Sequence, residues 1–227
     1  MKRIIIFLLM LAISAELSAS ELNKAIMLKD SEREKIKAIM VEDGMFNDLE
    51  VEHLDIRPSQ HQVELGYPGC SWKLQESPRR IYKESVRQYV RYKDGSFLFD
   101  INYGYFDSNK EARKVFSNKI HRIEGSYAHN DDKMLLILKE KSPDGKMVGD
   151  ESYFREIKHR HIKSPIQSKY QPAVFPIPDK ADLIFLKGNY VIHIGVWGKL
   201  KDNYKALLGE IAWKIEEKIQ DLPNIEK

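Results

Sequence analysis

The sequence is short of cysteine: Cys70 is the single one in 227 residues. No disulfide can therefore form within the chain, and its stability has to come from an apolar core. It also lacks a charge imbalance, with 37 Lys and Arg against 34 Asp and Glu. A nucleic-acid partner, which calls for a basic excess or stripe, is excluded on that ground. Long apolar runs are missing beyond the amino terminus, so no membrane span is expected in the mature chain. Familiar catalytic signatures are missing too: no Gly-x-Ser-x-Gly elbow, phosphate-binding loop, zincin helix or calcium loop is present. No catalytic residue, cofactor or metal is assigned, and the balance of these absences points away from an enzyme.

What is present has a globular composition, 42% apolar, 31% charged and 10% aromatic, so a packed core is expected rather than disorder. Residues 1–20 read as a signal peptide. Met1, Lys2 and Arg3 give a positive start, Ile4 to Ile13 an apolar stretch, and Ser18, Ala19 and Ser20 a small-residue cleavage zone. Residues 21–227 are then expected to form a single α+β domain outside the cytoplasm, periplasmic or extracellular.

The strongest pattern runs from Ser85 to Ile120. Val86, Val90 and Tyr92 alternate with Arg87, Tyr89 and Arg91, the period of a half-buried strand. Asp94-Gly95 then predicts a tight hairpin with positive φ at both turn positions. The return strand puts Phe97, Phe99, Ile101, Tyr103 and Tyr105 on one face. Ser108 and Glu111 have capping-box spacing and open a helix carrying Ala112, Val115, Phe116 and Ile120. A second strand–turn–strand–helix unit closes the chain: an apolar run from Asp182 to Leu186, a turn at Lys187 to Asn189, alternation through Tyr190, Ile192, Ile194 and Val196, and an amphipathic helix from Tyr204 to Ile219. Two ββα units suggest an internal pseudo-repeat. The fold class expected is α+β, a largely antiparallel sheet with helices packed against it.

Elsewhere, Ser31 and Glu34 predict a short amphipathic helix bearing Ile36, Ile39 and Met40. Residues 45–84 are punctuated by Pro58, Pro68 and Pro78 and read as short strands or edge segments. Met134 to Leu138 is continuously apolar and reads as a central strand. Pro165, Pro172, Pro176 and Pro178 predict an extended surface loop.

The candidate site residues are few. His159, Arg160 and His161 lie in a basic stretch; in a strand the two histidines would share a face, the beginning of a metal site. Neighbouring ligands to complete a tetrahedral set are absent, with only Asp150 or His129 recruitable by the fold, so a solvated basic binding segment is favoured. Asp150 and Glu151 are adjacent and would point to opposite faces, one acid buried and one solvated. Trp213 falls off the apolar stripe of the last helix, where it covers a loop of the same chain or marks a partner surface. Cys70 reads as a small buried hydrophobe beside Trp72 rather than a nucleophile.

The export signal, the hairpin, the helix start Phe106-Asp107-Ser108-Asn109-Lys110-Glu111-Ala112, the segment Gly149-Asp150-Glu151-Ser152 and the closing unit around Leu186-Lys187-Gly188-Asn189-Tyr190 together resemble small exported bacterial domains. These include domains of PsbP-like α/β/α architecture. The resemblance covers residues 84–221 and implies a fold class, with no catalytic residues to carry over. The function expected is an exported, non-enzymatic binding or accessory domain, its partner a cell-envelope protein or small ligand. The alternative is a hydrolase or metal-dependent enzyme assembled from Cys70, Asp150, Glu151, His159 and His161.

Overall fold

The computed structural model describes residues 25–62, 82–125, 135–159 and 180–222. Among them, eight strands build one sheet: β1 (Ala25–Ile26), β2 (Leu49–Gln62), β3 (Tyr82–Tyr92), β4 (Phe97–Tyr105), β5 (Leu135–Glu140), β6 (Glu151–His159), β7 (Lys180–Lys187) and β8 (Tyr190–Gly198). Its order is β2-β3-β4-β8-β7-β6-β5, antiparallel throughout, while β1 adds a short parallel pairing to the far end of β3. Three helices cover it: α1 (Asp30–Ile39), α2 (Asn109–Gly125) and α3 (Tyr204–Asp221). The α+β class expected from the sequence is the one found.

Strand alternation sorts the side chains into two layers. Phe97, Phe99, Ile101 and Tyr103 of β4, Leu183 and Phe185 of β7, and Ile192, Ile194 and Val196 of β8 form the larger core with α1 and α3. Helix α3 meets it with Tyr204, Leu207, Leu208, Ile211, Ala212 and Ile215, recurring at helical spacing. The opposite face carries a smaller core: Ala112, Val115 and Phe116 of α2 against Ile184, Leu186 and Val191.

Helix α2 begins as expected, the Glu111 N–H donating to Ser108 Oγ at 3.2 Å. Helix α1 begins two residues before the expected cap, at Lys29, whose N–H donates to Glu32 Oε2 at 2.6 Å. In the β3–β4 hairpin, Gly95 N–H donates to Tyr92 O at 2.7 Å and Gly95 has φ of 74°. This is a four-residue connection with one left-handed glycine, a longer loop than the two-residue turn predicted.

Three other expectations are corrected. The apolar run read as a central strand is β5, paired only with β6 among the described residues, because an apolar run does not say how many neighbours a strand has. The proline-punctuated region contains a 14-residue strand, β2. Its register slips between Glu52 and Arg57, and Pro58 is accommodated because β2 is an edge among the described residues. The third correction concerns the pseudo-repeat. Both ββα units exist, and β4 pairs antiparallel with β8 at the sheet centre. A rotation relating the two hairpins must then lie normal to the sheet and would leave both helices on one face. α2 and α3 lie on opposite faces, so the pseudo-repeat is not supported.

Candidate functional site

The face under α2 is apolar at one end and ionic at the other. Antiparallel register lines up Tyr89, Asp100, Gly195, Asp182 and Arg155 across β3, β4, β8, β7 and β6. Asp182 and Arg155 are almost fully buried there, at 0% and 1% exposure. Arg155 Nη2 donates to Asp182 Oδ2 at 2.7 Å, and its Nη1 donates to Ile123 O near the end of α2. Asp182 Oδ1 also lies 3.1 Å from His193 Nε2 and 3.3 Å from Lys180 Nζ. Next along the sheet, Arg87 grips Asp100 with two guanidinium nitrogens, one of them 2.6 Å from Oδ1.

These neighbours fix the protonation states. Burial alone would raise the Asp182 carboxyl, but the His193 hydrogen bond and the charges of Lys180 and Arg155 outweigh it and hold the group well below the usual carboxylate range. An ionised carboxylate only accepts hydrogen bonds, which assigns the His193 proton to Nε2. Its Nδ1 is then an acceptor, 3.4 Å from Lys119 Nζ on α2. Burial, with Lys119 beside it, pulls His193 below its ordinary value, against the opposing pull of Asp182. Burial also drives Lys119 down to about 7; Arg122 and Arg87 push the same way, while Asp100 and Asp182 offset part of the effect.

Trp197 borders the cluster. This indole is 39% exposed, and Lys180 Nζ sits 4.0 Å from its ring centroid. Gly195 makes the arrangement fit: a Cβ there would come within 3.1 Å of Trp197 Nε1 and 3.7 Å of Asp182 Oδ1. Asp182, His193 and Lys119 have the connectivity of an orienting acid, a base and a third group, but the third position is an amine. Both ring nitrogens of His193 are taken, and among the described residues neither partner is the hydroxyl or thiol that acyl transfer would need. Among the described residues, no three His, Cys, Asp or Glu side chains gather to hold a metal ion.

Two other buried ionic groups tie elements together. Lys83 Nζ bonds Glu32 Oε1 at 3.0 Å, and Glu84 Oε2 accepts from Leu28 N–H at 2.9 Å, anchoring α1 and its leading segment to β3. Glu156, fully buried on the opposite face, takes the Tyr204 hydroxyl and Lys205 of α3.

The sequence-derived candidates fall elsewhere. Asp150 accepts from Gly188 N–H at 2.8 Å, and Glu151 pairs with Arg113 of α2. They point to opposite faces as expected, but neither is buried: their side chains are 40% and 37% exposed. Asp150 precedes β6 and His159 ends it, about 30 Å apart at strand rise. The strand thus gives no support to a site joining Asp150 and Glu151 with His159. The His159 side chain, Arg160, His161, His129 and Cys70 lie outside the described residues. Trp213 is half-buried against the larger core, with Lys146 of the β5–β6 connection 4.7 Å from its ring centroid. It lines a shallow groove on α3 with Glu210, Glu216 and Glu217.

Asp182, His193, Arg155 and Lys119 were not singled out from sequence. The trace they left is small: a carboxylate inside the apolar run of β7 and a histidine in the outward slot of β8.

No family model matches the chain, PsbP-like ones included, and no curated protein matches it. Among solved structures it is similar to the extracellular domain of PknH from Mycobacterium tuberculosis. The TM-score is 0.47 at 10% identity, covering 82% of this chain and 95% of that one. At that level the likeness assigns no function. No helix among the described residues is long and apolar enough to cross a membrane.

Proposed function

We propose that the chain is an exported, non-enzymatic binding or accessory domain that takes its ligand on the sheet face beside α2, at Trp197. One observation carries this reading: the ionic groups of that face are engaged with one another, and the cluster is bordered by an exposed indole whose Nε1 edge lies against Gly195. A fixed array of charge beside an exposed aromatic ring suits recognition, since its geometry is set before a ligand arrives. Export is read from the amino-terminal leader, residues 1–20.

The test has two arms. Full-length chain made in a bacterial host is expected outside the cytoplasm with the intact mass of a chain that has lost its leader; retention inside at full mass refutes export. A thermal-shift screen of the mature protein against sugars, amino acids, organic acids and short peptides is expected to give stabilising ligands. Trp197→Ala should keep the unfolding midpoint within about 4 °C and lose those responses. Ligands that stabilise Trp197→Ala equally would move the binding site elsewhere, the Trp213 groove on α3 being the next surface to examine.

A further inference from the structure

We infer that His193 is an acid-operated latch: a proton taken up at its Nδ1 breaks the contact with Lys119 and loosens the last two turns of α2 from the sheet. Such a latch needs no ligand and stands apart from the binding reading above. His193 faces outward from β8, with Asn102 of β4 and Ile184 of β7 opposite it. Its ring spans two layers, Nε2 lying 3.1 Å from Asp182 Oδ1 on the sheet and Nδ1 3.4 Å from Lys119 Nζ on α2. The side chain is 18% exposed, so a proton reaches it without unfolding.

Hydrogen-bond chemistry makes this contact sensitive to acid. Asp182, an ionised acceptor, keeps the proton of the neutral ring on Nε2, and a second proton has only Nδ1 to take. Nδ1 then changes from acceptor to donor. Lys119 has nothing to offer it: burial drives that amine down to about 7, so at more acid pH it is an ammonium, with three donors and no acceptor. Donor meets donor, and charge meets charge. Lys119 on α2 and Lys180 on β7 oppose the second proton, while Asp182 on β7 favours it. Asp100 of β4 is held by Arg87 of β3, and Arg155 of β6 is held by Asp182. Arg122, beyond Lys119 on α2, adds to the positive side.

Burial, and then Lys119, hold the folded His193 below the ordinary histidine value of about 6.5, so the unfolded chain takes up this proton first. The latch is whole above that value and fails as pH falls through the lower folded one. The other described ties of the same helix end stay closed in this window. Arg155 donates to the carbonyl of Ile123, and Glu124 accepts from Lys139 at 2.7 Å and from the Tyr153 hydroxyl at 3.2 Å. Lys139 keeps the Glu124 carboxyl below its usual range, and burial pushes the Tyr153 hydroxyl up to about 12. Acid therefore releases one contact of several. The end of α2 opens more often, while Ala112, Val115 and Phe116 keep its first turns on the smaller core.

The experiment uses the mature protein. Nitrogen-15 NMR locates the His193 titration midpoint. Amide hydrogen exchange is then measured about one pH unit above and below it, corrected for the intrinsic effect of pH on exchange. Amides in the last two turns of α2 are expected to lose protection about tenfold on the acid side, the size of one hydrogen bond. Those of β4 and α3 should change little. His193→Gln, which cannot titrate, should show no such loss. Lys119→Met should also abolish it and raise the His193 midpoint by about one pH unit. Urea midpoints establish that the variants are folded, and the wild-type measurements stand alone if either is not. A His193 ring that stays unprotonated until the whole fold is lost overturns the inference. So do equal protection of α2 on both sides of the midpoint, a loss shared evenly with β4 and α3, or an acid effect that survives in folded His193→Gln.

Discussion

Replacing Asp182 by Asn removes one charge from the most enclosed ion pair on the α2 face and leaves the shape nearly unchanged. Asp182 and Arg155 side chains are each 1% exposed, so Arg155 cannot swing into water when its partner is neutralised. It would keep its bond to the carbonyl of Ile123 and face an amide where the carboxylate stood. Lys180, 12% exposed, can move outward and should contribute little. Breaking a buried pair from one side costs about 3–5 kcal/mol, mostly the stranded charge. With total stabilities of about 5–15 kcal/mol and urea slopes of about 1–3 kcal/mol per molar, the urea midpoint should fall by roughly 1–2 M. Combining Arg155→Met with Asp182→Leu should recover most of the loss, because no charge is then buried alone. A single-variant loss below about 1 kcal/mol would show that the pair is effectively solvated and refute the reasoning. Acid titration gives a second check. The folded carboxyl of Asp182 is depressed, so the unfolded chain takes up the proton first. Its contribution is complete above the ordinary carboxylate value of about 4 and is lost as pH falls through the lower folded value. Asp182→Asn should lack that component of acid sensitivity, and a wild-type acid limb identical to the variant's would argue against it.

Gly195→Ala should cost about 1 kcal/mol in urea unfolding and shift the tryptophan emission component that Trp197→Phe removes, because the new methyl displaces the indole; unchanged emission would mean that Trp197 does not rest there. Ser108→Ala should lower stability by about 1 kcal/mol through loss of the cap on α2, and a neutral result would place the start of that helix elsewhere.

The elements that were legible are those whose own residues carry the period. β4 declared itself through Phe97, Phe99, Ile101 and Tyr103, and α3 through Leu207, Leu208, Ile211 and Ile215, since burial on one face dictates spacing along one segment. The helix start at Ser108 was legible for the same local reason. Partnership between segments was not. Whether Leu135 to Glu140 lies inside or at the edge of the sheet depends on what pairs with it, which its composition does not encode. The length of β2 was hidden because proline argues against strands in general and only edge position removes the objection. The site shows this most plainly. Asp182 and His193 stand eleven positions apart and meet because the Lys187–Tyr190 turn sets the β7–β8 register, with Ile184 opposite His193 and Asp182 opposite Gly195. Lys119 and Arg155 arrive from a helix and from another strand. Local spacing drew attention to Asp150, Glu151 and His159, which are close in sequence and separated by the length of β6.

The unequal division of the core has a consequence for how the molecule breathes. α1 and α3 share the larger apolar layer, whereas α2 is held by a smaller one and by the ionic cluster at its far end. Its amides should exchange with solvent through partial openings that leave the sheet and the other helices intact. A ligand joining α2 to the sheet face beneath it would act as a clasp on that one layer. Occupancy would then be recorded as slowed deuterium uptake along α2, while the exchange of β4 and α3, governed by opening of the whole fold, stayed nearly the same.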